Sequence, residues 1–439
     1  MKRISIEYLQ KWYTRTDRKP LLVRGARQVG KTWLIRDLAR TLGVHLIEIN
    51  FELNPAAKVA FNSLQPSDII KSLALIGYPS IESGKVLLFL DEIQECPQAI
   101  TALRYFYELR PDIAVIGTGS LLEFAIEAGH LSIPVGRVEY FRLFPMNFVE
   151  YLFAKGNAAL AAAIESFDSS HIDWPEAAHD QALFELRNYL FCGGMPEALK
   201  TMCEGNDVAA CRRAHLSIWQ GYRQDFYKYA SKINAALAEK LFIRSPGQVG
   251  GRFKYVQVDP DTRAAEVKNA VMALERAGVI RRVFHTSGQG LPLATDCNER
   301  IAKLFMLDVG LMHAALQIDA QLVQEQNLLA IHRGAVAEQF AAQEMVSSMP
   351  ADSDGALYFW VREARSSQAE VDFLIAAGST VLPVEVKSGS AGTLKSLWSF
   401  LDSHPASPRG VRLSMDMPSV SARLITLPLY LAGTLYKLK

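Results

Sequence analysis

Residues 25–32 read G-A-R-Q-V-G-K-T and follow the apolar run P-L-L-V at residues 20–23. A loop of this kind, G-x-x-x-x-G-K-[S/T] between an apolar strand and a helix, wraps phosphate groups in nucleotide-binding proteins. Gly25 and Gly30 lack a Cβ, so the backbone can curl and direct its N–H groups inward at a chain of phosphates. The stretch therefore predicts an α/β fold that opens on a nucleotide-binding loop.

The residues that close this loop predict how a nucleotide is held. Lys31 supplies a positive charge for the β- and γ-phosphates, and the Thr32 hydroxyl suits Mg²⁺. A helix beginning at Thr32 would direct the positive end of its dipole at the anion. We therefore expect ATP and Mg²⁺ as cofactors, with the alternative that this is only a glycine-containing strand–helix turn. The expected nucleotide-binding residues are Gly25, Ala26, Arg27, Gln28, Val29, Gly30, Lys31 and Thr32.

A second motif, V-L-L-F-L-D-E at residues 86–92, predicts the remainder of the site. Its uninterrupted apolar run is typical of a strand buried on both faces of a parallel sheet. Such a strand delivers Asp91 to the carboxyl edge of the sheet, where ligands bind in α/β folds. We expect Asp91 to order the Mg²⁺ through water and Glu92 to polarise the attacking water. The alternative is an acidic strand end that faces solvent.

Three further apolar segments, residues 46–50, 113–117 and 138–142, predict more strands of the same sheet. A small polar tip, T-G-S, follows the second of them, and we expect its Ser120 to sense the γ-phosphate from the adjacent strand. Arg137 comes just before the third, where we expect it to stabilise charge on the transferred phosphoryl group. For Arg137 the alternative is a solvated surface charge.

Composition and charge limit the class of protein. The 439 residues are 49% hydrophobic and 21% charged, which indicates a globular chain of two to four domains. A net charge of +1 excludes a global positive field, so any nucleic-acid contact would need a local basic patch. The five cysteines have no C-x-x-C spacing, which favours neither a zinc site nor a disulfide framework. Without a signal peptide or an apolar membrane span, we expect a cytoplasmic protein with no membrane partner.

Residues 20 to about 200 resemble the ATPase domain of AAA+-like P-loop ATPases that carry an acidic pair after the second motif. The strings that carry the resemblance are G-A-R-Q-V-G-K-T, L-L-F-L-D-E-I-Q, I-G-T-G-S-L-L and V-G-R-V-E-Y-F-R-L-F-P-M-N-F-V-E-Y-L. The turn G-G-M-P-E at residues 193–197 is similar to a G-G-x-P turn that follows the ATPase core in related prokaryotic ATPases. The resemblance implies ATP turnover and a sheet in which the strand before Ser120 lies between those of the two nucleotide motifs. An oligomer is compatible with the sequence, but no motif indicates one.

The middle of the chain predicts helices followed by a winged helix-turn-helix. An aromatic stripe on one long helix, Trp219, Tyr222, Phe226 and Tyr229, has the spacing of a core-facing side. From residue 237 to residue 284 the order is helix, turn, helix and strand, which is typical of a winged helix. The basic residues that would contact DNA phosphates there are Arg263, Lys268, Arg276, Arg281 and Arg282. The alternative is a winged helix that only connects two domains.

The last third of the chain carries a second constellation of charged residues. Residues 370–375 and 381–387 predict two strands of a hairpin. Glu385 and Lys387 lie two apart, so both project from one face, and the hairpin can set Asp372 opposite or diagonal to Glu385. Two carboxylates and a lysine suit a Mg²⁺ that activates water, with the ammonium stabilising charge on an attacked phosphodiester.

This hairpin resembles the PD-(D/E)xK nuclease superfamily. A helix predicted over residues 334–345 adds Glu338, and Val371 stands where that family's pattern has a proline. The resemblance places Asp372, Glu385 and Lys387 at the motif positions, with metal ligation by Asp372, Glu385 and Glu338. A nuclease-like scaffold retained for binding, or a surface hairpin with ordinary charges, remains the alternative.

Along its whole length the chain resembles prokaryotic ATPases that join an AAA-type domain to a C-terminal domain of unassigned function. The expected fold is α/β: an AAA+-like P-loop NTPase domain at residues 1–205 with a parallel sheet and helices on both faces, a helical and winged-helix region at 206–320, and a nuclease-like domain at 321–439. The leading hypothesis is an ATPase that moves or switches a DNA-handling C-terminal module. The competing hypothesis is a signalling switch whose nucleotide state, ATP or ADP, controls a protein partner while the nuclease-like hairpin is inert.

Overall fold

The computed structural model describes residues 1–81, 85–120, 122, 134–170, 173–228, 234–253, 262–317, 333–350, 353, 355–362, 369–388 and 393–438. These residues divide into two compact units. The N-terminal unit consists of Arg3–Phe144 and Arg276–Gly278, and the C-terminal unit consists of Met1–Lys2, Pro145–Glu275 and Val279–Lys439.

A five-stranded parallel sheet organises the N-terminal unit. Its strands are β1 (Leu21–Arg24), β2 (His45–Asn50), β3 (Val86–Asp91), β4 (Ala114–Thr118) and β5 (Glu139–Arg142). Their order across the sheet is β2-β3-β4-β1-β5, and every neighbouring pair is parallel. All residues of β3 and β4 are buried, and for β3 the uninterrupted apolar run predicted this. The predicted order is confirmed, because β4 lies between β1 and β3.

Among the described residues, the helices that accompany this sheet are α1 (Ser5–Thr14), α2 (Lys31–Leu42), α3 (Ala56–Val59), α4 (Pro66–Leu75) and α5 (Pro97–Leu109). The helix α2 begins after Gly30 and ends at Gly43, and both glycines have the left-handed conformation that their missing Cβ allows. Apolar side chains of α4 and α5 join those of β2, β3 and β4 in one core cluster. Burial of this cluster is what fixes the strands that position the nucleotide loop.

The C-terminal unit begins with helices and continues with a mixed sheet. Its helices are α6 (Phe148–Ala154), α7 (Ala158–Glu165), α8 (Glu176–Cys192), α9 (Pro196–Glu204), α10 (Val208–Lys228), α11 (Ala235–Arg244), α12 (Ala264–Arg276), α13 (Val309–Ala315), α14 (Arg333–Ser347) and α15 (Lys395–Ser403). Three of the four stripe residues on α10, Trp219, Tyr222 and Phe226, are buried as predicted, and Trp219 stacks on Phe242 with 4.0 Å between ring centroids. The fourth, Tyr229, lies outside the described residues.

Within the described part of the C-terminal unit, nine strands form one sheet. They are β6 (Arg252–Phe253), β7 (Ile280–Thr286), β8 (Cys297–Met306), β9 (Tyr358–Val361), β10 (Glu370–Ala377), β11 (Thr380–Val386), β12 (Gly410–Ser414), β13 (Ser419–Val420) and β14 (Leu424–Pro428). Their order is β13-β14-β12-β11-β10-β9-β7-β8-β6. The predicted hairpin is present, because β10 and β11 pair antiparallel with Phe373 opposite Val384. Next to it, β12 and β14 run parallel to β11.

This sheet spans one of the domain boundaries predicted from the sequence, the one at residues 320 and 321. The strand β8 pairs antiparallel with both β6 and β7. The strand β7 also pairs in parallel with β9, which belongs to the last third of the chain. The compact division falls after Phe144 rather than after residue 205, because the helices from α6 onward pack within the C-terminal unit. The boundary predicted at residues 320 and 321 lies outside the described residues.

The turn G-G-M-P-E at residues 193–197 is hydrogen-bonded to a distant segment of the C-terminal unit. Gly194 N donates to Asp308 Oδ2 at 2.6 Å, and Leu311 N donates to Asp308 Oδ1 at 3.0 Å, so Asp308 ties the turn to the first turn of α13. A Cβ on Gly194 would lie 1.9 Å from Met146 O. Burial raises the pKa of Asp308 to about 6 despite these hydrogen bonds. The turn therefore contributes to the packing of the C-terminal unit.

No helix among the described residues combines the length and the apolar character that a membrane crossing requires.

Candidate nucleotide-binding site

The loop between β1 and α2 has a backbone that only glycine permits at two positions. Gly25 has φ +145°, and a Cβ there would lie 2.3 Å from Leu143 O. Gly30 has φ +94° and stands immediately before α2. Arg3 links the loop to the end of the segment after β5, because its guanidinium donates to Val29 O at 3.2 Å and to Phe144 O at 2.7 Å. Arg3 lies outside every motif, so no local pattern predicts this contact.

Lys31 is folded back onto its own loop. Its Nζ donates to Gly25 O and to Ala26 O, each at 2.9 Å, and the residue is buried. Burial lowers the pKa of Lys31 to about 8, although the nearby carboxylates of Glu92 and Asp91 act in the opposite direction. An anionic group in the loop would offer the ammonium stronger partners than two neutral carbonyls.

Asp91 lies at the carboxyl edge of β3, where side chains from three other elements converge on it. Thr32 Oγ1 donates to Asp91 Oδ2 at 3.1 Å, and Asn50 Nδ2 donates to the same oxygen at 3.3 Å. Thr118 Oγ1 donates to Asp91 Oδ1. The sequence predicted the neighbourhood of Thr32 and Asp91 but missed Asn50 and Thr118. Their common signal is a polar residue at the end of an apolar strand of the parallel sheet.

Glu92 follows Asp91 and has the left-handed backbone conformation, with φ +50°. Gln94 Nε2 donates to Glu92 Oε2 at 2.7 Å, and Ser120 Oγ lies 3.5 Å from the same oxygen. With this backbone conformation, the Glu92 carboxylate lies near Ser120, in the segment that follows β4. The structure thus brings Ser120 to Glu92, and Gln94 is a further contact that the motif analysis did not name.

Arg137 does not reach this site. It precedes β5, whose first residue Glu139 pairs in register with Leu21, the first residue of β1. Because β1 and β5 are parallel, Arg137 lies at the amino edge of the sheet, whereas the nucleotide loop follows the carboxyl end of β1. Its Nε instead donates to Glu108 Oε1 at 2.9 Å on the surface. The prediction for Arg137 was wrong because this residue lies at the amino end of β5, away from the nucleotide loop.

The side chains at this edge fit a magnesium nucleotide. A threonine hydroxyl and a carboxylate lie in contact, which is the oxygen chemistry that Mg²⁺ prefers. Gly25 and Gly30 give the loop the backbone conformation of a curved phosphate-binding segment, with φ +145° and +94°, and Lys31 has a positive charge to offer. The donor set therefore suits phosphate and Mg²⁺ together.

A second charged group, the Lys303 cluster, lies in the C-terminal unit. Its members are Lys303, Glu338, Glu370, Asp372, Glu385 and Lys387. Lys303 Nζ lies 2.7 Å from Glu370 Oε1, 3.2 Å from Glu338 Oε2 and 3.3 Å from Asp372 Oδ1, and its side chain is 1% exposed. The structure thus brings the predicted residues Glu338 and Asp372 together, but around an ammonium group from β8.

The remaining contacts of the cluster lie at the hairpin formed by β10 and β11. Asp372 Oδ2 accepts a hydrogen bond from Val386 N at 2.9 Å, and Lys387 Nζ donates to Glu385 Oε1 at 2.6 Å. Glu385 Oε2 is buried and has no hydrogen-bond partner among the described residues. Across the described part of the chain, no group of three or more His, Cys, Asp and Glu side chains is arranged to hold a metal ion.

The pKa values of the cluster follow from burial and crowding. Burial, followed by the charge of Asp372, raises the pKa of Glu338 to about 8 and that of Glu385 to about 7. Burial alone would lower the pKa of Lys303, but Glu338, Asp372 and Glu370 together raise it above its ordinary value. The ammonium of Lys303 therefore stays charged at neutral pH.

The basic residues proposed for DNA contact are partly engaged inside the protein. Arg282 is bound to Glu275 with 2.6 Å between Nη2 and Oε2, and its side chain is only 10% exposed. Arg281 Nη1 donates to Gly355 O at 2.5 Å. These two residues therefore stabilise the fold around β7, which removes them from the expected phosphate-binding face.

The strand order, the loop and the acidic strand end are together those of a P-loop NTPase fold. Residues 17–152 match the family model described as an AAA domain. Residues 183–322 and 333–430 match two models that are each described as a domain of unknown function, DUF8612 and DUF4143. The chain therefore carries an AAA domain with a P-loop NTPase fold, followed by two regions without assigned function. No curated protein matches the chain.

Several solved structures are similar to parts of the chain. A Walker-type ATPase of Pyrococcus abyssi is 14% identical with a TM-score of 0.44, over 71% of this chain and 94% of the other. The ORC1 protein of Aeropyrum pernix in complex with DNA is 12% identical with a TM-score of 0.27, over 72% and 91%. DnaA of Aquifex aeolicus bound to AMPPCP is 10% identical with a TM-score of 0.26, over 62% and 86%. With TM-scores below 0.5, the fold assignment rests on the strand order and the AAA family match.

Proposed function

We propose that this chain binds Mg²⁺–ATP in the loop at residues 25–32 and hydrolyses it. The observation that carries the proposal is the meeting of Thr32 and Asp91, with 3.1 Å between the hydroxyl and the carboxylate. A loop that bound phosphate without metal would have no use for a carboxylate at this position, since it would repel the anion.

Each residue at this edge has a distinct task. Lys31 leaves its loop carbonyls to pair with the β- and γ-phosphates, and the backbone N–H groups of the loop cradle the same anion. Bound Mg²⁺ neutralises charge on the phosphates. Glu92 orients the attacking water and accepts its proton, and Gln94 and Ser120 hold the Glu92 carboxylate in place for this step.

The second part of the proposal is that nucleotide state controls the C-terminal module. Its support is the turn Arg276–Gly278, which groups with the N-terminal unit and continues directly into β7. The α-carbon of Gly278 is so near the loop that an added Cβ would lie 3.4 Å from Ala26 N. A change in the loop on nucleotide binding would therefore act on a turn that is covalently joined to the sheet carrying Lys303.

The sequence leaves two alternative functions for the C-terminal module, and a different observation favours each. The hairpin with Asp372, Glu385 and Lys387 favours a DNA-handling, nuclease-like module. The ammonium of Lys303 among the carboxylates favours the second candidate, a nucleotide-dependent switch that binds a protein partner and cleaves nothing.

Phosphate release from ATP by the full chain tests the first part. We expect Glu92→Gln to retain nucleotide binding and to lose hydrolysis by about 10²- to 10⁴-fold, the usual contribution of a general base. Lys31→Ala, in contrast, loses binding. Equal turnover by the wild type and by Glu92→Gln would overturn the assignment of Glu92.

Cleavage of plasmid and linear DNA tests the second part, with Mg²⁺ or Mn²⁺, with and without ATP, and with Lys387→Ala as the matched variant. Cleavage by the wild type that Lys387→Ala abolishes supports the DNA-handling module. Absence of cleavage by protein that hydrolyses ATP favours the partner-binding switch.

A further inference from the structure

The centre of the Lys303 cluster is filled by an ammonium group. Lysine has three N–H donors, and the three carboxylates of Glu338, Glu370 and Asp372 lie 2.7 to 3.3 Å from Lys303 Nζ. Each donor therefore has one carboxylate. The side chain is 1% exposed, so water does not screen this arrangement.

The residues of the cluster do not fit the metal that a nuclease-like hairpin implies. Mg²⁺ would bind oxygens at about 2.0–2.1 Å in an octahedral shell. Asp372 and Glu338, which would supply that shell, already direct oxygens at Lys303, and a divalent cation beside them would be repelled by the ammonium.

Lys303 belongs to a different part of the chain from the carboxylates it contacts. It lies on β8, in the region matching DUF8612, whereas Glu338, Glu370 and Asp372 lie in the region matching DUF4143. Two strands, β9 and β7, separate β10 from β8 in the sheet order, yet Lys303 Nζ lies 3.3 Å from Asp372 Oδ1. Arg252 on β6 also reaches this edge, with 3.0 Å between its Nε and Glu370 Oε2.

We propose that the ammonium of Lys303 occupies the place of a divalent cation and keeps such cations out of this acidic centre. This inference rests on the nuclease-like character of the hairpin in the proposed function. Lys303 then supplies from the middle of the chain the positive charge that the carboxylates need in order to be buried. Without it, Asp372, Glu338 and the unpartnered oxygen of Glu385 form an oxygen-rich pocket that suits Mn²⁺ or Mg²⁺.

Mn²⁺ binding to the full chain, followed by electron paramagnetic resonance, tests this inference. All proteins carry Asp91→Asn and contain no nucleotide, so the P-loop does not contribute to binding. The test variant is Lys303→Met/Glu370→Gln, which removes one charge of each sign and keeps the other carboxylates. The matched control removes an exposed pair with 2.8 Å between its atoms, Arg423→Met/Asp402→Asn.

We expect the wild-type cluster and the control to bind no Mn²⁺ there, and Lys303→Met/Glu370→Gln to bind one ion. Its affinity should exceed that of the wild type by at least about tenfold, the size of effect that neighbours of a metal shell produce. Adding Asp372→Asn should remove this site. Mn²⁺ bound by the wild type and lost on Asp372→Asn would overturn the inference, as would a folded test variant that binds no better than the wild type.

Lys303→Ala provides a second readout if the double variant folds poorly. Its uncompensated carboxylates should destabilise the C-terminal unit, and Mn²⁺ should raise its melting temperature while leaving that of the control unchanged. No rescue by Mn²⁺ would count against the proposal. DNA cleavage by the wild type is assayed separately. Mg²⁺- or Mn²⁺-dependent cleavage that Lys387→Ala abolishes would also overturn the inference, because it needs a divalent cation in the wild-type cluster, whereas absence of cleavage removes only the DNA-handling function and leaves the inference to the Mn²⁺ measurement.

Discussion

Thr118 on β4 donates its hydroxyl hydrogen to Asp91 on β3, and the threonine is fully buried. Asn50, which stands opposite Asp91 in the register of β2 and β3, binds the second carboxylate oxygen. Adjacent strands thus fix the carboxylate before any ligand arrives. Fixed ligands spare the site the cost of ordering them when metal binds.

Replacement of Thr118 by valine should weaken metal use without disturbing the sheet. Valine has nearly the same shape and suits a buried strand, but it cannot donate to Asp91. We expect the Mg²⁺ concentration for half-maximal ATP hydrolysis to rise by about 10- to 100-fold, as for other groups that orient a metal ligand. The measurement is the Mg²⁺ dependence of phosphate release.

Thr101→Val is the matched control, because Thr101 is a partly exposed threonine on α5 whose hydroxyl donates to Pro97 O. It should leave the Mg²⁺ dependence unchanged. The role given to Thr118 fails if both variants respond to Mg²⁺ like the wild type.

The pKa of Lys31, lowered to about 8 by burial, predicts how nucleotide binding depends on pH. Below pH 8 the ammonium is charged and ready for phosphate. Above it the free protein loses that proton and must regain it to bind, so affinity falls as pH rises. At pH 9 we expect the dissociation constant for ATP to be about tenfold higher than at pH 7, as one proton taken up per binding event requires.

Isothermal titration in buffers of different ionisation enthalpy measures both the affinity and the proton uptake. Lys31→Arg is the control, because a guanidinium stays charged throughout this range. Its affinity should be lower overall and independent of pH. A wild-type dissociation constant that stays constant from pH 7 to pH 9 would show that Lys31 keeps its proton in the free protein.

The parallel sheet and the nucleotide loop were predictable because each rests on local sequence. An uninterrupted apolar run such as residues 86–90 specifies a buried parallel strand, and the spacing of Gly25 and Gly30 specifies the loop. Arg137 was misplaced because the pattern indicates a strand without saying which edge of the sheet faces the ligand. Only the parallel pairing of β5 with β1 settles that.

Lys303 could not be predicted from any local pattern. It stands 69 residues before Asp372, and two other strands separate their strands in the sheet order. The spacing of Asp372, Glu385 and Lys387 was visible because a hairpin is a local structure. The charge that decides what this hairpin binds comes from a distant strand, and such pairings follow from the topology rather than from neighbouring residues.

Gly194→Ala should destabilise the C-terminal unit strongly. The added Cβ would lie 1.9 Å from Met146 O and 2.8 Å from Met146 C, so the backbone of one segment must move. That movement would disturb the hydrogen bond from Gly194 N to Asp308. We expect a loss of about 2–4 kcal/mol in the free energy of unfolding, typical of overpacking with loss of a buried hydrogen bond. Urea unfolding followed by circular dichroism measures it.

Gly221→Ala is the matched control, because Gly221 lies within α10 and a Cβ there meets no atom within 4 Å. Alanine favours a helix by about 0.5–1 kcal/mol over glycine, so this variant should be more stable than the wild type. Equal stability of the two variants would contradict the packing role of the G-G turn.

Glu344 predicts that the C-terminal unit becomes less stable as pH rises. Both of its carboxyl oxygens accept from Phe148 N, at 3.0 and 3.2 Å, and burial raises its pKa from 4.5 to about 8. Between these values the folded protein keeps a proton that the unfolded chain has released. This stability is fully present below pH 4.5 and is lost as pH rises through 8, at about 1.4 kcal/mol per pH unit for one proton.

The measurement is the free energy of urea unfolding from pH 5 to pH 8, for the wild type and for Glu344→Gln. The amide keeps an acceptor for Phe148 N and cannot ionise, so its curve should be flatter by about 1.4 kcal/mol per pH unit in this window. A residual slope of the same sign should persist, because the pKa values of Glu338 and Glu385 are also raised, to about 8 and about 7. Parallel curves for the two proteins would mean that Glu344 is ionised in the folded state at these pH values, and that the first turn of α6 stabilises its charge more than burial opposes it.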